Sequence, residues 1–516
     1  MLTRANPYPR KKVAVVGGGC AGIAALWALN RSPHDAYLFE ASDRLGGHAH
    51  TVEFRKGKFK TLVDTGFIVM NAKTYPNFSR FLKKLGIETA PTDMSFSVSR
   101  DGGRFEWAGA SLDALFCQRT NFLSPRFWRM LFDILRFSQF ALDILRTDEA
   151  AEETLGEYLE REGYSDAFRD SYLVPMAAAV WSTPPDKLLL DFPIATLIRF
   201  MWNHHLLSVV GSRPQWLTVS NGSRSYVDKV MHGFPSNHLR LRTAVTSLTN
   251  DPDGRVRLHT SDGRSEVFDH VILATHGDQA YSIVRASATA EEHSILQHFR
   301  TTPNVAVLHS DRTLLPRSPR AVSSWNYLSR TPTPFSTRAS QVCVTYNMNL
   351  LQHIPRDVFG DVLVTLNPPR DPAPGTVQGR FEFRHAAYTP NAVRAQRCLA
   401  RIQNKRGISY AGAWTGYGFH EDAFSSGVKV AVEHLGATVP FEDWRDARYA
   451  RGRMPRVTMA ERVVRLWIWL VQVFVVQVLE ALWRVVSGPV SWRSVPKGGG
   501  VPRVRVAGGR MREKRL

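Results

Sequence analysis

A chain of 516 residues, 44% hydrophobic and 22% charged, has the length and apolar content for more than one buried core, which excludes a disordered or fibrous protein. Its four cysteines (Cys20, Cys117, Cys343 and Cys398) are scattered without a C-x-x-C pair, which argues against a disulfide framework or a zinc site and fits a reducing compartment. The net charge of +20 is concentrated: residues 441–516 hold sixteen basic and six acidic side chains, half of the excess, so the charge marks a tail that suits an anionic membrane surface or nucleic acid; a membrane surface is the expected partner and nucleic acid is not.

Met1 to Lys12 is polar and basic without an apolar run, so an intracellular chain is expected. Val13-Ala14-Val15-Val16 reads as a buried parallel strand, and an Ala/Leu-rich helix should follow the glycine turn after it. The glycines fall as G-x-G-x-x-G at Gly17, Gly19 and Gly22. The first permits a tight turn, the second lets a pyrophosphate approach the backbone, and the third lets helix and strand pack closely. The helix then offers free N–H groups and its positive end to phosphates. A second strand, Ala36 to Phe39, ends in Glu40, where a carboxylate accepts hydrogen bonds from an adenosine ribose. That carboxylate also repels a 2′-phosphate, which favours FAD or NAD over NADP.

Glu40 is followed by Ala41, Arg44 and the pair Gly46-Gly47, then by His48, and Val63 to Phe67 forms a short apolar strand with a turn at Gly66. The run from Val13 to Gly47 resembles the E-x-x-x-R-x-G-G extension of flavin amine oxidases, phytoene desaturases and protoporphyrinogen oxidases. Val63-Asp64-Thr65-Gly66-Phe67-Ile68-Val69 and later segments are more similar still to the NAD/FAD-binding proteins associated with cyclopropane-fatty-acid synthase-like methyltransferases. The resemblance covers about residues 10–436. It departs at His48, where many members of the superfamily carry a second arginine.

Residues 71–219 read mainly helical. In Arg126 to Arg146, polar residues recur at three- and four-residue steps, with aromatic and aliphatic residues on the rest of the wheel. This is expected to pack on a substrate domain; a membrane-dipping or lipid-tunnel helix is the alternative. Pro175 to Ser182, Asn203 to Leu207 and Trp216 to Tyr226 resemble substrate-domain signatures of the fatty-acid-associated group. His204 and His205 have no acidic or cysteine partner at ligand spacing, so polar pocket lining or packing is expected and no metal site.

Leu239 to Leu248 and Arg255 to Thr260 read as strands, and Asp269 to His276 as a buried strand running into a Thr-containing turn. Trp325-Asn326-Tyr327, Val344 to Asn349 and Thr365 to Pro368 read as strands of a mixed sheet forming a pocket floor. From Ile408 a strand ends in Ala411-Gly412, an irregular loop carries Trp414, and a helix starts near Glu421-Asp422. This last stretch resembles the C-terminal FAD motif of the superfamily. The resemblance implies cofactor contacts at Gly17, Gly19, Cys20, Ala21, Gly22, Glu40, Ala41, Arg44, Gly46, Gly47, His48, Asp64, Thr65 and Gly66. It also implies them at Val245, Ala274, Gly412, His420, Glu421, Asp422 and Ala423. His420 is the candidate base and Trp414 a candidate for the flavin face.

Leu466 to Val486 is apolar but interrupted by Gln472, Gln477, Glu480 and Arg484, which suits a helix lying in a membrane interface; a crossing helix or one packed on protein are alternatives. The expected fold is α/β: a discontinuous Rossmann-like FAD-binding domain (10–70, 220–280 and 401–436) with a mixed-sheet and helical substrate domain (71–219 and 281–400). A basic amphipathic membrane-associating segment (441–487) and a disordered basic tail (488–516) complete the chain. The expected activity is FAD-dependent removal of a hydride from a C–H bond of a lipid or fatty-acyl substrate. Flavin oxidation of an amine is the alternative, and a non-catalytic binding protein like the Rab GDP-dissociation inhibitors is the alternative of another class. The sequence does not name the electron acceptor.

Overall fold

The computed structural model describes residues 9–146, 153–207, 214–331, 342–441 and 457–487. They fall into two units, Met1–Pro455 and Arg456–Leu516.

In the first unit, strands Lys12–Val16, Asp35–Phe39, His270–Leu273, Ile408–Tyr410 and Leu239–Arg240 form one parallel sheet. Lys12–Val16 lies at its centre, between Asp35–Phe39 and His270–Leu273. Val13, Ala14, Val15 and Val16 are buried, as a strand covered on both faces requires. Helix Cys20–Leu29 covers one face with every residue buried, and helix His420–Leu435 packs against it. A Cβ on Gly427 would stand 2.0 Å from the Ala21 carbonyl oxygen, so glycine lets these two helices touch. On the other face, three antiparallel strands (Val245–Asn250, Val256–Thr260 and Ser265–Phe268) share a core with Ala14, Val16, Val271 and Leu273.

A second, seven-stranded sheet takes the order Val377–Ala387, Arg300–His309, Leu363–Leu366, Val344–Asn347, Trp325–Ser329, Phe96–Arg100, Phe105–Ala108. It is mixed, because Trp325–Ser329 pairs in parallel with Phe96–Arg100 while the other pairs are antiparallel. Residues 71–219 are thus not wholly helical: they give two strands to this sheet and two, Thr89–Thr92 and Trp216–Val219, to a small one. Helices between Leu112 and Asn203 close the sheet over a core that includes Phe127, Phe137, Phe168, Phe192 and Trp181.

The Arg126–Arg146 segment forms helix Pro125–Phe140 followed by a 3-10 stretch, Ala141–Arg146, and the middle of its polar stripe points inward while Arg126 and Arg146 at its ends are exposed. Asp133 is fully buried, 3.3 Å from Arg129 and 3.6 Å from Arg136, and accepts the Ser165 amide at 3.0 Å. Arg136 lies over the Tyr164 ring and donates to the Glu162 carbonyl. A paired, hydrogen-bonded carboxylate is tolerated inside where an unpaired one is not. Trp128 and Leu135 face outward instead.

The second unit is described by itself. Thr458 and Glu461 form a capping box that starts helix Met459–Val471, which continues through a π turn, Gln472–Val476, into helix Gln477–Ser487. Met459–Leu482 is long and apolar enough to cross a membrane by length and composition. The expectation of disorder for 488–516 lies outside the described residues, as does the stretch 442–456.

Candidate functional site

The parallel sheet presents the carboxyl ends of its strands to one crevice, where ligands of open α/β sheets bind. Gly17 turns the chain there at φ +104°, and its amide donates to the Phe39 carbonyl at 2.8 Å. A Cβ on Gly22 would lie 1.8 Å from the Gly17 carbonyl oxygen, so strand and helix meet only through glycine. At Gly19 a Cβ would meet nothing within 4 Å. The space beside the Gly19 backbone is open. Helix Cys20–Leu29 begins here with no side-chain cap and no acidic residue in its first turn, so its amides at Cys20, Ala21 and Gly22 face that space.

Glu40 stands beside the same turn: its Oε2 accepts the Gly18 amide at 2.7 Å and its Oε1 the Ser42 amide at 2.8 Å. Ala41 follows at the strand end, and Arg44 donates to the Gly47 carbonyl at 3.0 Å. Gly46 (φ +106°) bridges to Gly19, and a Cβ on Gly47 would come 3.1 Å from the Gly19 Cα. The glycine pair thus completes a backbone-lined cradle around Gly19.

His48 leaves this cradle towards the second sheet. Its ring is 5.0 Å from Phe383 and from His385 and 6.1 Å from His276, and its Nε2 is buried without a hydrogen-bond partner among the described residues. Burial, helped by the neighbouring imidazoles, holds His48 well below the usual histidine range and lowers His385 to about 4. Asn304 holds the His385 Nδ1 at 2.9 Å. Three neutral imidazoles from three segments therefore gather where the cradle meets the second sheet.

Asp64, Thr65 and Gly66 shape the loop rather than offer it free polar groups. Asp64 accepts from Thr51 Oγ1 at 2.6 Å, from the Ser223 amide and hydroxyl and from Gln352 Nε2, while burial raises it to about 6. Thr65 Oγ1 bonds the His50 ring, and a Cβ on Gly66 would lie 2.4 Å from the His48 carbonyl oxygen. Val245 opens the three-stranded sheet opposite Thr260, and Ala274 ends its strand with its amide on the Val16 carbonyl.

Helix His420–Leu435 starts at the same place as the first helix: the Cys20 thiol lies 3.6 Å from the His420 carbonyl oxygen. The positive ends of two helix dipoles converge on the crevice. His420 is buried, its Nε2 2.8 Å from the Tyr226 hydroxyl and its ring stacked on Phe67 at 3.9 Å; burial lowers it to about 3. Glu421 accepts the amides of Asn77 and Phe78 at 3.0 and 2.9 Å and so caps helix Pro76–Leu85, although burial raises it to about 8. Asp422 accepts the Phe419 amide at 2.9 Å, and the Ala423 amide donates to the Phe419 carbonyl. Gly412 takes φ +149° and donates to Ser426. Trp414 packs into the core against Phe299 at 4.4 Å and donates to the Thr275 carbonyl.

A small cavity opens beside this helix start, lined by Tyr75, Asn203, His204, Tyr417, Phe419 and Glu421 among others. His204 lies on Phe200 at 3.9 Å with its Nδ1 on the Phe200 carbonyl, and His205 takes a left-handed φ of +58°. Reading the sequence did not single out Phe67, Tyr226, His276, His385 or Tyr417 as site residues; all but His385 lie in stretches it had marked, and His385 is brought there by tertiary contact alone.

Residues 20–343 match the family model described as flavin containing amine oxidoreductase, which spans well over half of the chain. The chain belongs to this flavin containing amine oxidoreductase family. FAD is accordingly its cofactor, and the open cradle at Gly19 and the unpartnered His48 Nε2 fit such a group. The chain is 25% identical to 15-cis-phytoene desaturase of Narcissus pseudonarcissus over 273 residues, 49% of this chain and 45% of the relative. It is 23% identical to the flavin-dependent L-tryptophan oxidase RebO of Lentzea aerocolonigenes over 310 residues, 57% of this chain and 60% of the relative. The aligned region thus spans about half the length of these curated relatives. Among solved structures, the CLA-producing fatty acid isomerase from P. acnes superposes with a TM-score of 0.58 at 14% identity, covering 84% of this chain and 99% of that one. Cyclohexylamine oxidase from Brevibacterium oxydans gives 0.61 at 15% identity, over 83% and 99%. These likenesses show a shared fold.

Proposed function

We propose that this chain is an FAD-dependent oxidoreductase that removes a hydride from a C–H bond of a lipid or fatty-acyl substrate. The observation that carries the reading is the convergence of two helix starts, Cys20 and His420, on an open backbone cradle beside a large aromatic-walled sheet. In this proposal Gly17, Gly19, Cys20, Ala21, Gly22, Gly46 and Gly47 hold the pyrophosphate, and Glu40 with Ala41 holds the ribose. Arg44 and His48 border the cradle, Val245 and Ala274 the adenine side, and Gly412 with the helix from His420 to Ala423 the flavin side. The FAD-binding domain then comprises 10–70, 220–280 and 401–436, and the substrate domain 71–219 and 281–400.

FAD supplies a hydride acceptor when bound. The chain's own residues do the rest. The helix starts and backbone amides stabilise negative charge, and the aromatic packing around Phe67, Phe78 and Phe383 excludes water. The expected roles of His420 as base and Trp414 at the flavin face are set aside in this reading: burial lowers His420 to about 3 with its Nε2 on the Tyr226 hydroxyl, and Trp414 is turned into the core with its N–H on the Thr275 carbonyl, so both act as positioning residues for the loop that carries them. His48 and His385 are imidazoles held at the border of the cradle, and burial keeps both neutral, so they line it as hydrogen-bonding groups rather than as bases.

Two features support a lipid substrate: the apolar helix Met459–Leu482, which would bring the enzyme to a membrane, and the similarity to a phytoene desaturase. Similarity to L-tryptophan and (S)-6-hydroxynicotine oxidases favours the second reading, amine oxidation. That reading draws also on the carboxylates at the cavity, yet Glu421 and Asp422 already accept backbone amides, which leaves an ammonium group poorly served. Anaerobic titration of the yellow protein with acyl lipids and amines decides between them: bleaching by an acyl lipid supports the proposal, and bleaching by amines alone overturns it. A colourless purified protein that acts on neither would point to the non-catalytic binding reading.

A further inference from the structure

The first unit carries a cluster of exposed apolar side chains around one buried phenylalanine. Leu112, Phe122, Leu123 and Trp128 are exposed by 78%, 48%, 87% and 50%. They belong to helix Leu112–Leu115, the 3-10 turn Arg119–Leu123 and the start of helix Pro125–Phe140. Buried Phe116 ties three of these pieces together: Phe122 stacks on it at 3.8 Å, Trp128 lies 5.7 Å away, and the Phe116 amide bonds the Leu112 carbonyl. The Trp128 indole N–H donates to the Phe122 carbonyl at 2.9 Å, so it would enter an apolar phase with its donor satisfied. Basic residues surround the patch. Arg119 and Arg320 share the single carboxylate of Asp113, and exposed Arg126 stands two residues before Trp128.

We propose that Leu112, Phe122, Leu123 and Trp128 form a docking surface that inserts shallowly into an anionic lipid membrane, with Arg119, Arg126 and Arg320 at the headgroups. The pattern of apolar tips with a positive surround is that of an interfacial contact. Lipid is the occupant because the same chain carries Met459–Leu482, a helix long and apolar enough to enter a bilayer. The inference rests on the membrane reading of that helix, and the test separates the two.

In the full-length protein, an environment-sensitive dye is attached at Leu123→Cys and, in a second preparation, at Val475→Cys; the unsubstituted chain controls for labelling of Cys398, the one native cysteine that is not buried. Each is mixed with vesicles of phosphatidylcholine alone, or with phosphatidylglycerol, carrying brominated acyl chains. Both dyes should be quenched on anionic vesicles. Arg119→Gln with Arg126→Gln should lower the docked-to-undocked ratio at position 123 by about thirtyfold while the yellow colour and the quenching at 475 persist. Quenching at 475 but not at 123 overturns the docking surface and leaves the helix reading intact. Quenching at neither position overturns both. Equal quenching at 123 on neutral vesicles overturns the role of the arginines. A dye at 123 that becomes shielded with rising protein concentration, before any vesicle is added, assigns the face to a second copy and overturns the proposal.

Discussion

Replacing Gly19 with alanine separates the cofactor cradle from the fold that carries it. Gly19 has an extended backbone, φ −74° and ψ −176°, which any residue adopts, and its added Cβ would meet no atom within 4 Å. The apoprotein should therefore keep its stability or gain about 0.4–1 kcal/mol, because alanine reduces the freedom of the unfolded chain. The methyl group would occupy the space where a pyrophosphate must approach the amides of Cys20 and Ala21. Losing one charge-assisted hydrogen bond costs about 1.5–3 kcal/mol, which weakens FAD binding by about tenfold to a hundredfold. Thermal unfolding of the apoprotein and a fluorescence titration with FAD read the two effects separately. Gly22→Ala is the contrast: its Cβ would sit 1.8 Å from the Gly17 carbonyl oxygen, so the apoprotein itself should lose stability. An unchanged Kd for FAD in Gly19→Ala, or an apoprotein that unfolds earlier, would refute the cradle as drawn.

Glu40→Ala should weaken FAD retention by a similar factor, with a small loss of apoprotein stability because Glu40 also holds the Gly18 and Ser42 amides; flavin occupancy after gel filtration is the measurement. Buried His204, His385 and His420 lie at about 4, 4 and 3 against an ordinary 6.5, so the unfolded chain binds protons that the folded one does not. Stability should fall as pH drops from about 6.5 towards 4, at about 1.4 kcal/mol per pH unit for each such group. Glu421 at about 8 and Asp64 at about 6 act in the opposite sense, losing stability as pH rises towards those values, so they soften the acid limb without reversing it. A melting temperature that stays flat between pH 7 and pH 5 would contradict this. A chain ending at Pro455 retains the whole first unit and should remain yellow while losing flotation with anionic vesicles at high salt, where basic contacts alone are screened.

The parts of the fold legible in the sequence were those set by local rules. The turn at Gly17 and the close helix–strand approach at Gly22 could be read because each demands glycine at a fixed spacing. The strands expected at Trp325–Tyr327, Val344–Asn349 and Thr365–Pro368 were legible in their β-branched and aromatic content, but their ends were not: helix Met348–Leu351 cuts the second short, and the third is Leu363–Leu366, with Asn367 already left-handed at φ +46°. Helix Pro125–Phe140 shows where local rules stop. Its periodicity was plain, but which face turns inward depended on Ser165, Glu162 and Tyr164, which satisfy Asp133 and Arg136 from distant segments. The same holds for the cluster of His48, His276 and His385, brought together from three segments, and for Glu421, whose partner is the start of a helix some 340 residues earlier. A carboxylate at a helix start reads locally as a dipole contact; that it caps another helix is a tertiary fact.

The most direct test of the central claim is mass spectrometry of the acyl lipid recovered after turnover by the purified holoenzyme. Hydride removal from a C–H bond leaves a product lighter by one pair of hydrogens, or one carrying new oxygen, and that is the expected result. Acyl lipid recovered unchanged, or conversion of amines only, would contradict it, and a moved double bond at unchanged mass would contradict net oxidation, because a hydride removed can be returned to another carbon.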